Sequence, residues 1–198
     1  MNRRVILYLC TIFAVGLAVG TGIVLANHPW ICSGNTAYHW SGTTVGYASP
    51  VEERAGGRAI GRNRQDYVNA FNGSVSVWHT GTVMNLVSGT QLRLYYDTYG
   101  RNGWLGLATI YPSGCIITRA TSKANDSYLR DTSRYSQTNV DHVACQEVGH
   151  TFGLDHNRTE TNTCMNDTIL TAGNKINQHD KDQLASIYAG LRSAQGGN

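Results

Sequence analysis

The sequence predicts an α+β fold: one domain of several strands and three helices. Three observations support this. Val68, Phe71, Val75 and Trp78 recur at helical spacing, which predicts a helix over 63–79 although Gly73 and several β-branched residues disfavour it. Residues 82–87, 92–96, 104–111 and 115–121 are runs rich in β-branched and aromatic residues, and they read as strands separated by Gly, Asn and Ser turns. Two further helical patterns follow. One starts after 136–139 and runs through Val140, Val143, Ala144, Glu147 and His150, with Gly153 expected to end it. The last runs from about 180 to 191 with the apolar stripe Leu184, Ile187, Tyr188 and Leu191. Earlier in the chain, 37–40 and 43–47 read as extended segments, 49–62 as a surface loop and 157–177 as an Asn/Thr-rich loop. No internal repeat is visible.

Composition limits the functional classes. The chain has 198 residues, 41% apolar and 15% charged, as expected of a globular chain rather than a disordered one. Arg3 and Arg4 are the only charged residues in 1–26, so without that segment Lys+Arg falls from 16 to 14 against 13 acidic residues, a net +1. A near-neutral domain offers no electrostatic case for nucleic acid as a partner.

The N-terminus has the pattern of an export signal. Asn2-Arg3-Arg4 is a basic start, Val5 to Ala26 is uncharged and mostly apolar, and Val24-Leu25-Ala26 places small residues where a signal peptidase reads. The run has 22 residues, enough to span a bilayer as an uncleaved anchor. Either way the rest of the chain is expected outside the cytoplasm, secreted or anchored, with the N-terminal segment its sole membrane contact. The expected organisation is a signal or anchor over 1–26, a short arm over 27–35, the domain over 36–192 and a tail over 193–198.

Residues 146–156 read Gln-Glu-Val-Gly-His-Thr-Phe-Gly-Leu-Asp-His. On a helix, positions four apart share a face, so Gln146 and His150 point the same way. Glu147, one position on, points beside that axis, where a carboxylate can take a proton from a metal-activated water. Gly153 permits a sharp turn that returns His156 as a further ligand. Two or three such ligands with an open position suit a catalytic zinc rather than a structural one.

The stretch resembles the metzincin signature H-E-x-x-H-x-x-G-x-x-H, with Glu147, His150, Gly153 and His156 in register and Gln146 where the first histidine stands. Gly149 before His150, and Met165 nine residues after His156, resemble the matrixin branch of these metallopeptidases, in which such a Met forms a turn beneath the metal. The chain is also similar to bacterial secreted matrixin-like proteins. The resemblance implies a single metzincin/matrixin-like catalytic domain, a mixed twisted sheet with an active-site helix and a C-terminal helix. It implies one catalytic Zn2+ held by Gln146, His150 and His156, with Glu147 as general base in peptide-bond hydrolysis. It further implies a monomer acting on a protein or peptide, bound along Trp104, Leu105, Gly106 and Leu107, with 167–177 as the wall of a side-chain pocket.

Gln146 leaves three possibilities open. Its amide oxygen ligates the metal, more weakly than an imidazole; the two histidines hold the metal alone; or no metal binds. The last corresponds to a catalytically silent binding module on the same scaffold, and a further alternative is an anchored surface protein whose residual site binds metal for stability. His142 lies eight residues before His150, about 12 Å along a helix axis, too far to converge with it, and is expected to be an exposed or capping histidine. Asp155 is expected at the surface or behind the ligands. Asn125-Asp126 is too thin a pattern for calcium. Beyond Cys10, Cys32, Cys115, Cys145 and Cys164 form an even set in an exported chain, with three possible pairings. Folding of the motif around a metal would bring Cys145 to Cys164, which favours that pair and leaves Cys32–Cys115.

Overall fold

The structure is a computed structural model that describes residues 5–6, 29–54, 59–81, 83–168 and 170–191. Apart from Val5 and Ile6, the apolar run and its expected cleavage point lie outside the described residues, as does the tail over 193–198. Among the described residues, no helix is long and apolar enough to cross a membrane.

The strands are β1 (Val5–Ile6), β2 (Ile31–Ser33), β3 (Thr36–Ala37), β4 (His39–Trp40), β5 (Thr44–Tyr47), β6 (Val51–Glu52), β7 (Asn85–Ser88), β8 (Leu92–Asp97), β9 (Gly106–Ser113) and β10 (Ile116–Asn125). Helix α1 (Arg64–Trp78) separates β6 from β7, and α2 (Asp126–Leu129), α3 (Gln137–His150) and α4 (Gln178–Ile187) follow the strands. The main sheet has the order β1-β9-β10-β8-β5-β7, with β4 also on β10 and β6 also on β8. Most pairs are parallel; β9 runs antiparallel to both β10 and β1. The expected mixed sheet with helices is therefore found.

Helix α1 forms where the spacing predicts. Asn63 caps it by accepting the Gln65 N–H at 3.0 Å, and Tyr67, Phe71, Val75 and Trp78 are buried along one face. Gly73 has a packing reason: a Cβ there would strike the Asn174 amide, which donates to the Ala70 carbonyl at 3.2 Å. The loop before α4 is thereby fastened to α1. Strand β10 extends to Asn125, past the predicted end at 121, because its polar second half pairs residue for residue with β8 up to Asn125↔Asp97. The four-residue α2 was not expected; Asn125 caps it, accepting from Ser127 N–H at 3.0 Å. The neighbouring Asp126 carboxylate accepts from Gly61 N–H, Arg62 N–H and the Tyr67 hydroxyl and pairs with Arg130, so internal donors occupy it.

The described part of the segment expected as a short arm, residues 29–35, packs onto the domain. β2 pairs with β3, Trp30 sits in the core at 8% exposure, and its N–H donates to the Gly153 carbonyl at 2.6 Å. Disulfides join Cys32 to Cys115 and Cys145 to Cys164, the favoured pairing.

Candidate metal centre

Helix α3 starts at a reciprocal capping box between Ser136 and Asn139 and is buried continuously from His142 to His150. Gln146 and His150 lie one turn apart, at 0% and 2% exposure. Gly149 has a clear role between them: a Cβ there would sit 2.5 Å from Met165 Sδ and 2.6 Å from Trp78 Cζ2. Only a glycine lets the thioether and the indole pack against the helix backbone. Trp78 Nε1–H also donates to the Cys145 carbonyl at 2.9 Å, tying α1 to α3.

The helix ends at His150 with Thr151 as its C-cap, three residues before the expected stop. Gly153 instead makes the reversal that follows. Its φ is +91°, and a Cβ would collide with the Tyr38 carbonyl oxygen. After the turn, the Leu154 carbonyl accepts from His150 Nδ1 at 2.8 Å. His156 then comes back against His150: the Nε2 atoms are 3.2 Å apart, and the ring planes stand at 86°.

The side chains that meet His156 are polar and charged. His156 Nδ1 lies 3.2 Å from Arg158 Nη2, 3.4 Å from Asp167 Oδ2 and 3.5 Å from Asp155 Oδ1. Met165 is fully buried; its carbonyl accepts from Asn157 N–H at 2.8 Å, and its own N–H donates to Thr163 Oγ1 at 3.1 Å. His142 is not exposed, as its place near the helix start suggested, but 0% exposed, with Nε2 on the Asn166 carbonyl at 2.8 Å. Burial lowers its pKa, so it stands as a neutral strut between α3 and the Met165 turn.

Glu147 is 5% exposed, and burial raises its pKa to about 8, opposed by the Ala108 N–H that donates to it. It approaches β9 closely because Gly106 lacks a side chain; a Cβ there would lie 2.5 Å from Glu147 Cγ. Trp104 and Leu105 precede β9 rather than forming part of it, and both are 7% exposed. Together with Tyr128, Tyr135, Asp167 and Leu170 they line a mostly apolar cleft of about 360 Å³. Leu107 is half-buried within β9. The outer side of β9 carries β1, with Val5 and Ile6 opposite Ile110 and Thr109.

The donor chemistry can be tested against a metal. The Leu154 carbonyl can only accept, so His150 Nδ1 carries the proton and Nε2 presents a lone pair. Two imidazole nitrogens about 2.0–2.1 Å from a tetrahedral zinc lie about 3.3 Å apart, close to the 3.2 Å seen here. The paired histidines fit. No group of three or more His, Cys, Asp or Glu residues able to hold a metal occurs among the described residues, so a third protein donor from α3 would have to be the Gln146 amide.

The model of the matrixin family (Peptidase_M10) matches residues 63–189. This chain belongs to the matrixin family. No curated protein matches it. The match spans α1 through α4 and contains Gln146, Glu147, His150, His156 and Met165, which the fold brings to one locality around α3 and its turn. The matrixin scaffold supports a metallopeptidase-type function and a peptide as the class of substrate. Sequence reasoning missed Arg158 and Asp167 beside His156. The one signal for Asp167 was its place two residues after Met165, and nothing in the sequence marked Arg158.

Proposed function

We propose that this matrixin is an exported, zinc-dependent endopeptidase in which Gln146, His150 and His156 hold the metal and Glu147 is the general base. The supporting observation is the opposed pair of His150 and His156 Nε2 atoms, 3.2 Å apart, with a buried Glu147 three residues before His150 on the same helix. When bound, zinc supplies Lewis-acid activation of water and of the scissile carbonyl. Glu147 takes the proton of the attacking water on its carboxylate and delivers it to the leaving amine nitrogen. Gln146 contributes its neutral amide oxygen, a weaker zinc donor than imidazole, so the metal is held less tightly than by three histidines.

The substrate lies along β9 as an added strand. That side of β9 accepts an antiparallel partner at Thr109 and Ile110, and Gly106 and Leu107 continue it toward Glu147. Trp104 and Leu105 serve through the cleft, receiving an apolar side chain against Tyr128, Tyr135 and Leu170. The protein works as a monomer outside the cytoplasm, after removal of its first residues or anchored by them.

One observation favours a second reading, a silent binding module: Gln146 replaces a histidine, and no third His, Cys, Asp or Glu joins the pair among the described residues. Cleavage of a denatured protein substrate by the zinc-loaded protein separates the two. The proposal expects hydrolysis that disappears in Glu147→Ala. Equal activity in that variant, or none in the zinc-loaded wild type, rejects it.

A further inference from the structure

The cleft beside β9 has a charged rim that the proposed reaction does not use. Two of the residues lining it are tyrosines, Tyr128 and Tyr135. Each carries an arginine over its ring. Arg101 Cζ stands 5.8 Å from the centre of the Tyr128 ring, and Arg134 Cζ stands 5.5 Å from that of Tyr135. Both arginines are exposed, and neither forms an ion pair among the described residues. A guanidinium over an aromatic face can still present N–H groups to a carboxylate, and it loses less freedom in doing so than an unsupported side chain.

The platform beneath them is fixed by backbone hydrogen bonds. The Tyr128 hydroxyl accepts from Gly103 N–H at 2.8 Å, and Ser127 Oγ accepts from Gly100 N–H at 2.7 Å, which fastens the loop carrying Arg101 to α2. The Arg134 and Tyr135 N–H groups donate to the Asp131 carbonyl at 3.1 and 2.8 Å, and the Arg62 guanidinium donates to the Tyr135 carbonyl at 3.1 Å. The acids nearby are already engaged. Asp167, which also lines the cleft, pairs with Arg158 at 2.8 Å. Asp131 Oδ1 accepts from Ser133 N–H at 3.2 Å and from the Ser133 hydroxyl at 2.6 Å. Arg101, Arg134 and Arg158 against Asp131 and Asp167 leave the rim positive.

We propose that Arg101 and Arg134 make this cleft selective for acidic peptides: a large apolar side chain enters against Tyr128 and Tyr135, and carboxylates on its C-terminal side meet the two guanidiniums. Charge complementarity of this kind sets specificity more than total affinity. The direction follows from the sheet edge. The partner strand on β9 runs antiparallel, and Arg101 lies upstream of Gly106, where β9 begins. A peptide laid in that sense passes Ile110 first and Leu105 last, so the residues after its apolar anchor lie toward Arg101. The inference rests on the reading of β9 and this cleft as the peptide site.

The test compares three peptides of one sequence that differ after a central phenylalanine, where they carry glutamates, glutamines or lysines. The zinc-loaded full-length protein should cleave the glutamate peptide about 3- to 10-fold better in kcat/KM than the glutamine peptide, and the lysine peptide least well. The preference should shrink at high salt, because the contacts are exposed. The Arg101→Glu, Arg134→Glu double variant should reverse it in favour of lysine, an outcome that a purely structural role for either arginine would not produce. Fluorescence anisotropy of the same peptides, labelled, reads binding without turnover. Equal cleavage of the three peptides, or a preference unchanged in the double variant, overturns the charge selection and leaves the peptidase standing. Charge-ordered binding without cleavage overturns the peptidase and keeps the selection. Binding of none of the peptides overturns both.

Discussion

His150 and His156 face each other through their Nε2 atoms at 3.2 Å, with rings at 86°. They are six positions apart in sequence, and a continuous helix would hold them on different turns. They meet because α3 stops at His150 and Gly153 reverses the chain at φ +91°. Gly153→Ala should therefore destabilise the domain by about 2 kcal/mol or more, combining left-handed strain with a clash against the Tyr38 carbonyl. Urea denaturation reads the loss, and zinc binding should fall with it. A variant as stable as wild type would show that the turn does not depend on glycine.

Gln146 sits fully buried one turn before His150. If its oxygen completes the site, Gln146→His should raise zinc affinity by about 10-fold or more, since imidazole is the better donor. Hydrolysis at limiting zinc should rise in parallel. Unchanged affinity would place residue 146 outside the ligand set.

Glu147 gives the site a pH signature. Burial raises its pKa from 4.5 to about 8. Between those values the folded metal-free chain holds a proton that the unfolded chain has released, so stability falls as pH rises through the window. The contribution is fully present below 4.5 and lost above about 8. Glu147→Gln removes this titration. In chelator, the variant should gain on wild type with rising pH, by on the order of a few kcal/mol at the top of the window. Parallel stability–pH curves for the two proteins would contradict this placement of the carboxylate.

The Cys145–Cys164 disulfide has a sequence separation of 19 and encloses Gln146, His150 and His156. A closed loop of that size constrains the unfolded chain by about 3 kcal/mol. Replacing both cysteines by serine should lower stability by that order and weaken zinc binding. Peptide mapping without reduction checks the pairing first.

Local signals in the sequence carried much of this architecture. The spacing of Val68, Phe71, Val75 and Trp78 located α1 because a one-sided apolar stripe must be buried. The motif from Gln146 to His156 was legible because its spacing matches one helical turn followed by a glycine reversal. Long-range features were not. His142 looked like a surface histidine, and only the fold reveals the Asn166 carbonyl that makes its burial tolerable. Trp104 and Leu105 looked like strand residues, but β9 begins at Gly106, where a small residue lets Glu147 approach. Arg158 and Asp167 became visible once His156 had a position, because the charged groups that meet a buried side chain come from whichever loop the fold delivers there.

The most direct test of the central claim is the zinc content of the purified protein after equilibration at micromolar zinc. The account predicts about one ion per chain, lost in a His150→Ala, His156→Ala double variant and retained in Glu147→Ala. No bound zinc, or zinc that survives removal of both histidines, would contradict it.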